Sequence, residues 1–259
     1  MDDTYSNKIR KIKREILTAC YNTKEGHIAS SFSILDILYV LYNDVMNISI
    51  DNLNDPCRDR FVLSKGHASI GLYAILRDKG FFEDSLDTFG KFGSILGGHP
   101  DCNKIPGIEA STGSLGHGAP MAVGMALGLK IQKNPAHVYT LVGDGEINEG
   151  SVWEGLLIAK HHNLNNFTII VDYNHSTDRA VDISDIDSKM KSFGFDSFIV
   201  DGHNPEALRE ALRMRGENPT AIIAETTKGN GIKDMENNPA WHHRMPTEEE
   251  YGRFMEELS

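Results

Sequence analysis

The sequence predicts an α/β fold, a parallel sheet flanked by helices. Three observations carry this expectation. Helix-like and strand-like segments alternate along the 259 residues; several strand candidates are near-continuous apolar runs, as expected where both faces of a strand are buried; and loops rich in Gly, Asn, Asp and His follow them. No repeat, low-complexity tract or Pro/Ser-rich linker divides the chain, so one domain over residues 1–259 is expected.

Taken in order, the first element is a helix. The basic run Lys8 to Arg14 alternates with Ile9, Ile12 and Ile16 at helical spacing, which puts the charges on a solvated face and the isoleucines inward. The first strand is expected at Phe61 to Leu63, followed by Ser-Lys-Gly-His. Gly113 to Leu129 reads as a helix whose Gly116, Pro120, Gly124 and Gly128 lie at i, i+4 spacing. That strip of small residues suits close approach of a second helix, either inside the domain or across a subunit contact. A strand at Val138 to Val142 leads into Gly143-Asp144-Gly145. A helix around Val152 to His162 leads into a strand at Phe167 to Val171, ending in Asp172-Tyr173-Asn174. The last strands are expected at Phe198 to Val200 and Ala221 to Glu225.

Composition excludes several classes. Lys plus Arg number 26 against 37 Asp plus Glu, a net charge of −11, so nucleic acid is an unsuitable partner. The longest apolar run, Ala119 to Leu129, is too short to span a bilayer, and no secretory leader is expected at Met1. Cys20, Cys57 and Cys102 are widely spaced and form no CxxC pair, which speaks against a disulfide framework and a thiolate zinc site and for a reducing, cytoplasmic setting. A zinc site built on His99 and Cys102 lacks the usual ligand spacing.

Ligand sites in such sheets gather beyond the carboxyl ends of the strands. There Asp144 and Asn174 are expected side by side, at the ends of adjacent parallel strands. A carboxylate, an amide oxygen and a nearby backbone carbonyl are hard donors suited to Mg²⁺, whose octahedron two diphosphate oxygens and water would complete. The glycines flanking Asp144 let the backbone approach phosphates, and the helix that follows offers its N-terminus.

Gly143-Asp144-Gly145 through Asn174 resembles the thiamin diphosphate motif of transketolases. Further segments resemble that family in order: Ser64-Lys65-Gly66-His67-Ala68-Ser69, Gly98-His99-Pro100, Thr112-Gly113-Ser114-Leu115-Gly116-His117-Gly118, Thr227-Lys228-Gly229-Asn230-Gly231, Met235-Glu236-Asn237-Asn238 and Trp241-His242. The resemblance implies a thiamin diphosphate-binding fold of the diphosphate-holding type. It implies Asp144, Asn174 and the carbonyl of Ser176 as ligands of Mg²⁺, for which Ca²⁺ or Mn²⁺ could stand in. It further implies Gly143 and Gly145 at the diphosphate; Gly113, Ser114 and Leu115 at the aminopyrimidine; and Glu149 at a contact between subunits near the cofactor. His27, His67, His99 and His242 would line the pocket around the thiazolium, with His67 and His242 also touching the cofactor. Histidine suits proton transfer and alkoxide stabilisation near neutral pH. His27 and His242 are the candidates for those tasks, His67 and His99 for holding substrate and phosphate. His137, His161, His162, His175, His203 and His243 are read as ordinary surface or core residues, although His243 adjoins His242.

The sequence departs from the family at Gly26-His27-Ile28-Ala29, where a His-Pro-Gly is usual, at Ser114 for a proline, and after Asn174. There His-Ser-Thr-Asp-Arg-Ala puts Asp178 and Arg179 near the metal loop. Nothing resembles the family's pyrimidine-binding and C-terminal domains. The expectation is a split enzyme, two of these chains with two C-terminal transketolase subunits (α2β2) that bring the pyrimidine-binding domain and the activating glutamate. It would transfer a two-carbon ketol unit from a ketose, phosphorylated by expectation, to an aldose. The alternatives are another thiamin diphosphate carboligation, such as 1-deoxyxylulose 5-phosphate synthesis or a specialised ketose or acyloin transfer, and a non-catalytic cofactor-binding scaffold.

Overall fold

A computed structural model describes the chain except Met1, Asp2, Arg179 and Asp182 and the side chain of Asp3. Nine α-helices are described: α1 (Asp3–Thr23), α2 (Ile28–Phe32), α3 (Leu35–Val40), α4 (Ser69–Asp78), α5 (Gly118–Ile131), α6 (Gly150–His161), α7 (Ile186–Ser192), α8 (Pro205–Leu212) and α9 (Glu248–Glu257). The strands are β1 (Arg60–Leu63), β2 (Val138–Gly143), β3 (Phe167–Tyr173), β4 (Asp196–Asp201) and β5 (Thr220–Glu225). They form one parallel sheet in the order β1-β2-β3-β5-β4. All five expected strands are present. β4 is longer than the apolar Phe198 to Val200 because the ladder continues through polar ends that alternate in exposure along this edge strand.

Side-chain alternation along the strands builds two cores. Phe61, Leu63, Tyr139, Leu141, Ile170 and Ile222 point into the layer formed by α1–α4, α8 and α9. Their sequence neighbours Val62, Val138, Val142, Ile169, Val171, Ala221 and Ile223 point into the layer formed by α5, α6 and α7. Both strand faces are therefore dry, and each fully buried Ile, Leu or Phe contributes about 1.5–3 kcal/mol of transfer free energy. Caps set the later helices. Asn204 accepts the Glu206 and Ala207 N–H groups ahead of Pro205 at the start of α8. Thr247 and Glu250 form a capping box at α9, where three glutamates in the first turn complement the helix dipole.

Two sequence expectations need correction. α1 does bury Ile9, Ile12 and Ile16, but Lys13 is buried with them rather than solvated. Its ammonium donates to the main-chain and side-chain oxygens of Asn230, which offset its lost hydration. The small-residue helix begins at Gly118 instead of Gly113. Gly116 lies in the preceding loop at φ +79°, so it is not part of the helical strip. A Cβ at Gly118 would sit 2.6 Å from the Ser64 Cα, and this close approach lets the Ser64 hydroxyl accept the Ala119 N–H at 3.1 Å. Gly124 and Gly128 face open space, so tight packing inside the domain does not account for them.

Among the described residues no helix is long and apolar enough to cross a membrane, and all three cysteines are free.

Candidate functional site

The register pairs Gly143 with Asp172 and Tyr173 with Glu225, so the carboxyl ends of β2, β3 and β5 lie level with one another. Asp144 and Asn174 emerge there, on adjacent strands. The Asp144 carboxylate accepts the Gly145 N–H at 2.8 Å, the Thr177 N–H at 3.2 Å and the Ser176 hydroxyl at 3.1 Å. The Asn174 side-chain oxygen accepts the Ser176 N–H at 3.2 Å, so Asp144, Asn174 and Ser176 form one corner.

Asp172, two residues before Asn174, is fully buried and organises this corner. Its carboxylate accepts from Ser33 Oγ at 2.8 Å, from Asn174 Nδ2 at 2.9 Å, from the Lys65 ammonium and from Thr226 Oγ1. Because Asp172 takes the amide nitrogen of Asn174, the amide oxygen is left to the Ser176 side of the corner. Burial alone would raise the Asp172 pKa, but Lys65 and these hydrogen bonds hold it below the ordinary carboxylate range.

Two lysines line the same cavity. Lys65, 2% exposed, is paired with Asp172, whereas Lys228, 6% exposed, has its ammonium 3.1 Å from His242 Nδ1. Burial first, and then the charge of Lys65, lower the Lys228 pKa. The hydroxyl of Ser30, at the cavity wall, has no hydrogen-bond partner among the described residues. Two ammonium groups beside the Asp144 carboxylate, with an orphaned hydroxyl, form a donor set that fits a metal-bound diphosphate. The cavity measures about 110 Å³, below the roughly 300 Å³ at which pockets for drug-sized molecules begin, so its walls enclose only part of such a ligand.

The histidines gather at the rim. The ring of His27 lies 5.0 Å from that of His67 and 5.1 Å from that of His242, and His67 and His242 are 5.6 Å apart. Burial, reinforced by neighbouring cationic groups, pushes the His27 pKa down to about 3 and that of His67 to about 2, and lowers that of His242. His243 lies 4.6 Å from His27 but reaches outward to Glu25 at 3.9 Å, whereas His242 faces the cavity beside Lys228, which distinguishes the two neighbours. His99 packs against Gly113, where φ is +145° and a Cβ would lie 2.8 Å from the imidazole, so only glycine fits. Leu115 lines the cavity; Ser114 and Glu149 are exposed beside it.

Several residues here carried no assignment from sequence: Lys65, Lys228, Asp172 and Glu146. The Glu146 carboxylate, buried between loops, accepts from Ser64 Oγ, from Gly116 N at 3.0 Å and from Gly143 N at 3.3 Å, and burial raises its pKa. A Lys-Gly step just beyond a strand occurs twice, at Lys65-Gly66 and Lys228-Gly229, and was the available signal for the lysines. Asp178 pairs with His175 Nδ1 at 2.8 Å, and His175 Nε2 meets Glu225 at 2.9 Å, so the charge of Asp178 is taken up inside the loop. Arg179 lies outside the described residues.

A doubly covered parallel sheet with an acidic and amide corner, buried lysines and a histidine rim at its carboxyl edge is an α/β module whose polar groups converge where such sheets bind ligands. The chain belongs to the transketolase family, matching "Transketolase, thiamine diphosphate binding domain" over residues 2–253. It is 36% identical to one of the subunits of the apulose-4-phosphate transketolase of Phocaeicola vulgatus, over 99% of this chain and 94% of that protein. It is also 36% identical to SqwG, a 6-deoxy-6-sulfo-D-fructose transketolase subunit of a Clostridium species, over 98% of this chain and 94% of that one. The transketolase of Leishmania mexicana superposes with a TM-score of 0.87 at 28% identity, covering 96% of this chain and 40% of that one.

Proposed function

We propose that this chain grips the diphosphate of thiamin diphosphate through Mg²⁺ and serves as one subunit of a transketolase that moves a two-carbon ketol unit from a ketose to an aldose. The observation that carries the reading is the meeting of Asp144 and Asn174 beside Lys228, a buried cation that no carboxylate pairs with among the described residues. The Asp144 carboxylate, the Asn174 amide oxygen and the Ser176 carbonyl would hold the metal, with Ca²⁺ or Mn²⁺ able to replace Mg²⁺. Gly143 and Gly145 let the backbone reach the phosphates, and Lys65 and Lys228 offset their charge. Gly113, Ser114 and Leu115 would meet the pyrimidine, and Glu149 the neighbouring subunit.

The cofactor, when bound, supplies a carbanion-stabilising centre. The chain's own part is proton handling and grip. His27 and His242, neutral at pH 7, can donate a hydrogen bond to a developing alkoxide, and to them we assign the transfer of a sugar hydroxyl's proton once cofactor and substrate fill the site. His67 and His99 hold the substrate. The relatives' names specify ketoses with a phosphate or sulfonate, and a donor with an anionic end is our reading here as well.

Both relatives are named as subunits, and the small cavity needs a second wall. The partner we propose is a C-terminal transketolase subunit carrying the pyrimidine-binding domain and the activating glutamate, in an α2β2 assembly working in the cytoplasm. The purified chain with thiamin diphosphate and Mg²⁺ is expected to show no ketol transfer, and activity is expected on adding a partner of roughly 300 residues. Robust transfer by the chain alone, with other proteins excluded by mass spectrometry, would overturn the two-subunit reading. In the assembled enzyme Asp144→Ala is expected to weaken Mg²⁺-dependent cofactor binding on the order of a hundredfold, since the diphosphate charge loses its metal anchor. Unchanged affinity by calorimetry would remove Asp144 from the metal site.

A further inference from the structure

His203, in the turn between β4 and α8, stands apart from the histidine rim yet is wired to it. Its Nδ1 lies 2.8 Å from Asp36 Oδ2 on α3, and its Nε2 lies 2.9 Å from the main-chain nitrogen of Thr227. A peptide N–H can only donate, so Nε2 must be the bare nitrogen of the ring. Nδ1 therefore carries the hydrogen and donates it to Asp36. The other Asp36 oxygen accepts the Tyr5 hydroxyl of α1 at 2.5 Å. Donor and acceptor roles are thus determined at every step from Thr227 N–H to His203, from His203 to Asp36, and from Tyr5 to Asp36.

The place where this relay ends matters. The Thr226 N–H is bonded to the Tyr173 carbonyl at 3.1 Å, continuing the β3–β5 ladder by one step, and the Thr226 hydroxyl rests on Asp172. Thr227 is the next residue, its N–H turned to the imidazole instead of a strand neighbour, and Lys228 follows it. Beyond Lys228, the Gly229 N–H is held by the Ala29 carbonyl at 3.0 Å. The Thr227 carbonyl accepts the Asn230 N–H at 3.1 Å and the Lys228 carbonyl accepts the Asn237 N–H at 3.0 Å, so main-chain bonds hold the segment on both sides of Lys228 and the imidazole holds the Thr227 N–H ahead of it.

We infer that His203, locked as the neutral Nδ1–H tautomer by Asp36, is a positioning residue that orients the Thr227 peptide and through it aims the Lys228 ammonium at His242 and the Asp144 corner. Without the imidazole the Thr227 N–H is a part-buried donor with no acceptor. Rotation of its peptide to find water would swing the Lys228 stem away from the cavity. The functional consequence rests on Lys228 facing the diphosphate, whereas the tautomer does not.

Both halves can be tested on the full 259-residue chain. With ¹⁵N-histidine, long-range ring correlations are expected to show His203 neutral with hydrogen on Nδ1, and a through-hydrogen-bond N–N coupling is expected between Thr227 N and His203 Nε2. Hydrogen on Nε2, or absence of that coupling, would overturn the proposal. Calorimetric binding of Mg²⁺–diphosphate then forms a double-variant cycle. His203→Leu is expected to weaken binding about tenfold, as for loss of one oriented charged contact, while His203→Gln, which keeps an acceptor, is expected to stay near the parent. In a Lys228→Met background, His203→Leu is expected to add nothing. An equal loss in both backgrounds would show that His203 does not act through Lys228 and would overturn the inference. If the parent chain bound no Mg²⁺–diphosphate at all, the cofactor reading would fail, and the ring correlations would still decide the tautomer.

Discussion

Single imidazoles in this chain do different work according to what surrounds them. His137, buried with its Nε2 2.8 Å from Thr168 Oγ1, has its pKa pushed down to about 2 by burial and, secondarily, by Arg215. Its folded pKa lies below the unfolded value of about 6.5, so on acidification the unfolded chain takes up this proton first. The stability tied to this group is complete above about pH 6.5 and is lost progressively as pH falls toward the folded pKa. By linkage, one such histidine costs about 2 kcal/mol between pH 7 and pH 5. Urea denaturation of the parent and His137→Asn at the two pH values is expected to show a fall smaller by about that amount in the variant; equal falls would mean that the buried imidazole is protonated in the native state. Residue placement was legible where a residue type is rare in its position. A Gly-Asp-Gly after one strand with an Asn after the next marked the corner where Asp144 and Asn174 meet. Lys13, Lys65 and Lys228 were not legible as buried cations, because lysine spacing is the same whether an ammonium faces water or the carbonyls of Asn230 and the carboxylate of Asp172. Asp172 was hidden by its position at the end of a strand, where any residue contributes to the ladder.

The strands were the most readable elements, since Phe-Thr-Ile-Ile-Val at 167–171 can be stable only with both faces covered. The start of α5 was misread because the glycines of the preceding loop continue the helix's spacing by chance, and only the contact with Ser64, far away in sequence, marks Gly118 as the first helical residue. The corrected strip has a sharper consequence. Gly124 of α5 is exposed and Gly128 half-buried with open space above it, and Met121 of α5 and Leu157 and Ile158 of α6 are exposed apolar side chains. This face is our candidate for part of the contact between subunits. Gly124→Leu is expected to leave the isolated chain as stable as the parent or slightly more so, since no atom lies within 4 Å of the added Cβ and a helical glycine costs about 1 kcal/mol relative to alanine. Assembly with the partner is expected to weaken in sedimentation experiments. Lower thermal stability of the isolated variant would instead point to packing within the domain.

At the scale of the whole molecule, the two-sided sheet explains why the site lies at one edge. With both faces occupied by helices, the loops beyond β2, β3 and β5 are where polar groups can converge on a ligand without disrupting a core. The same architecture bears on how the chain reaches its native state. Arg60 of β1 is hydrogen-bonded beside Val138 of β2, and every neighbouring strand pair is parallel, so no strand can pair through a short hairpin with the next. Loop-closure entropy must be spent over α4, α5 and the long connections before β1 and β2 gain anything from each other. Until then the apolar strands, β3 above all, are exposed along both faces. Folding of such a chain is slow, and its half-made sheet is prone to join the half-made sheets of other copies, so the yield of active protein depends on how dilute, or how well chaperoned, the newly made chains are.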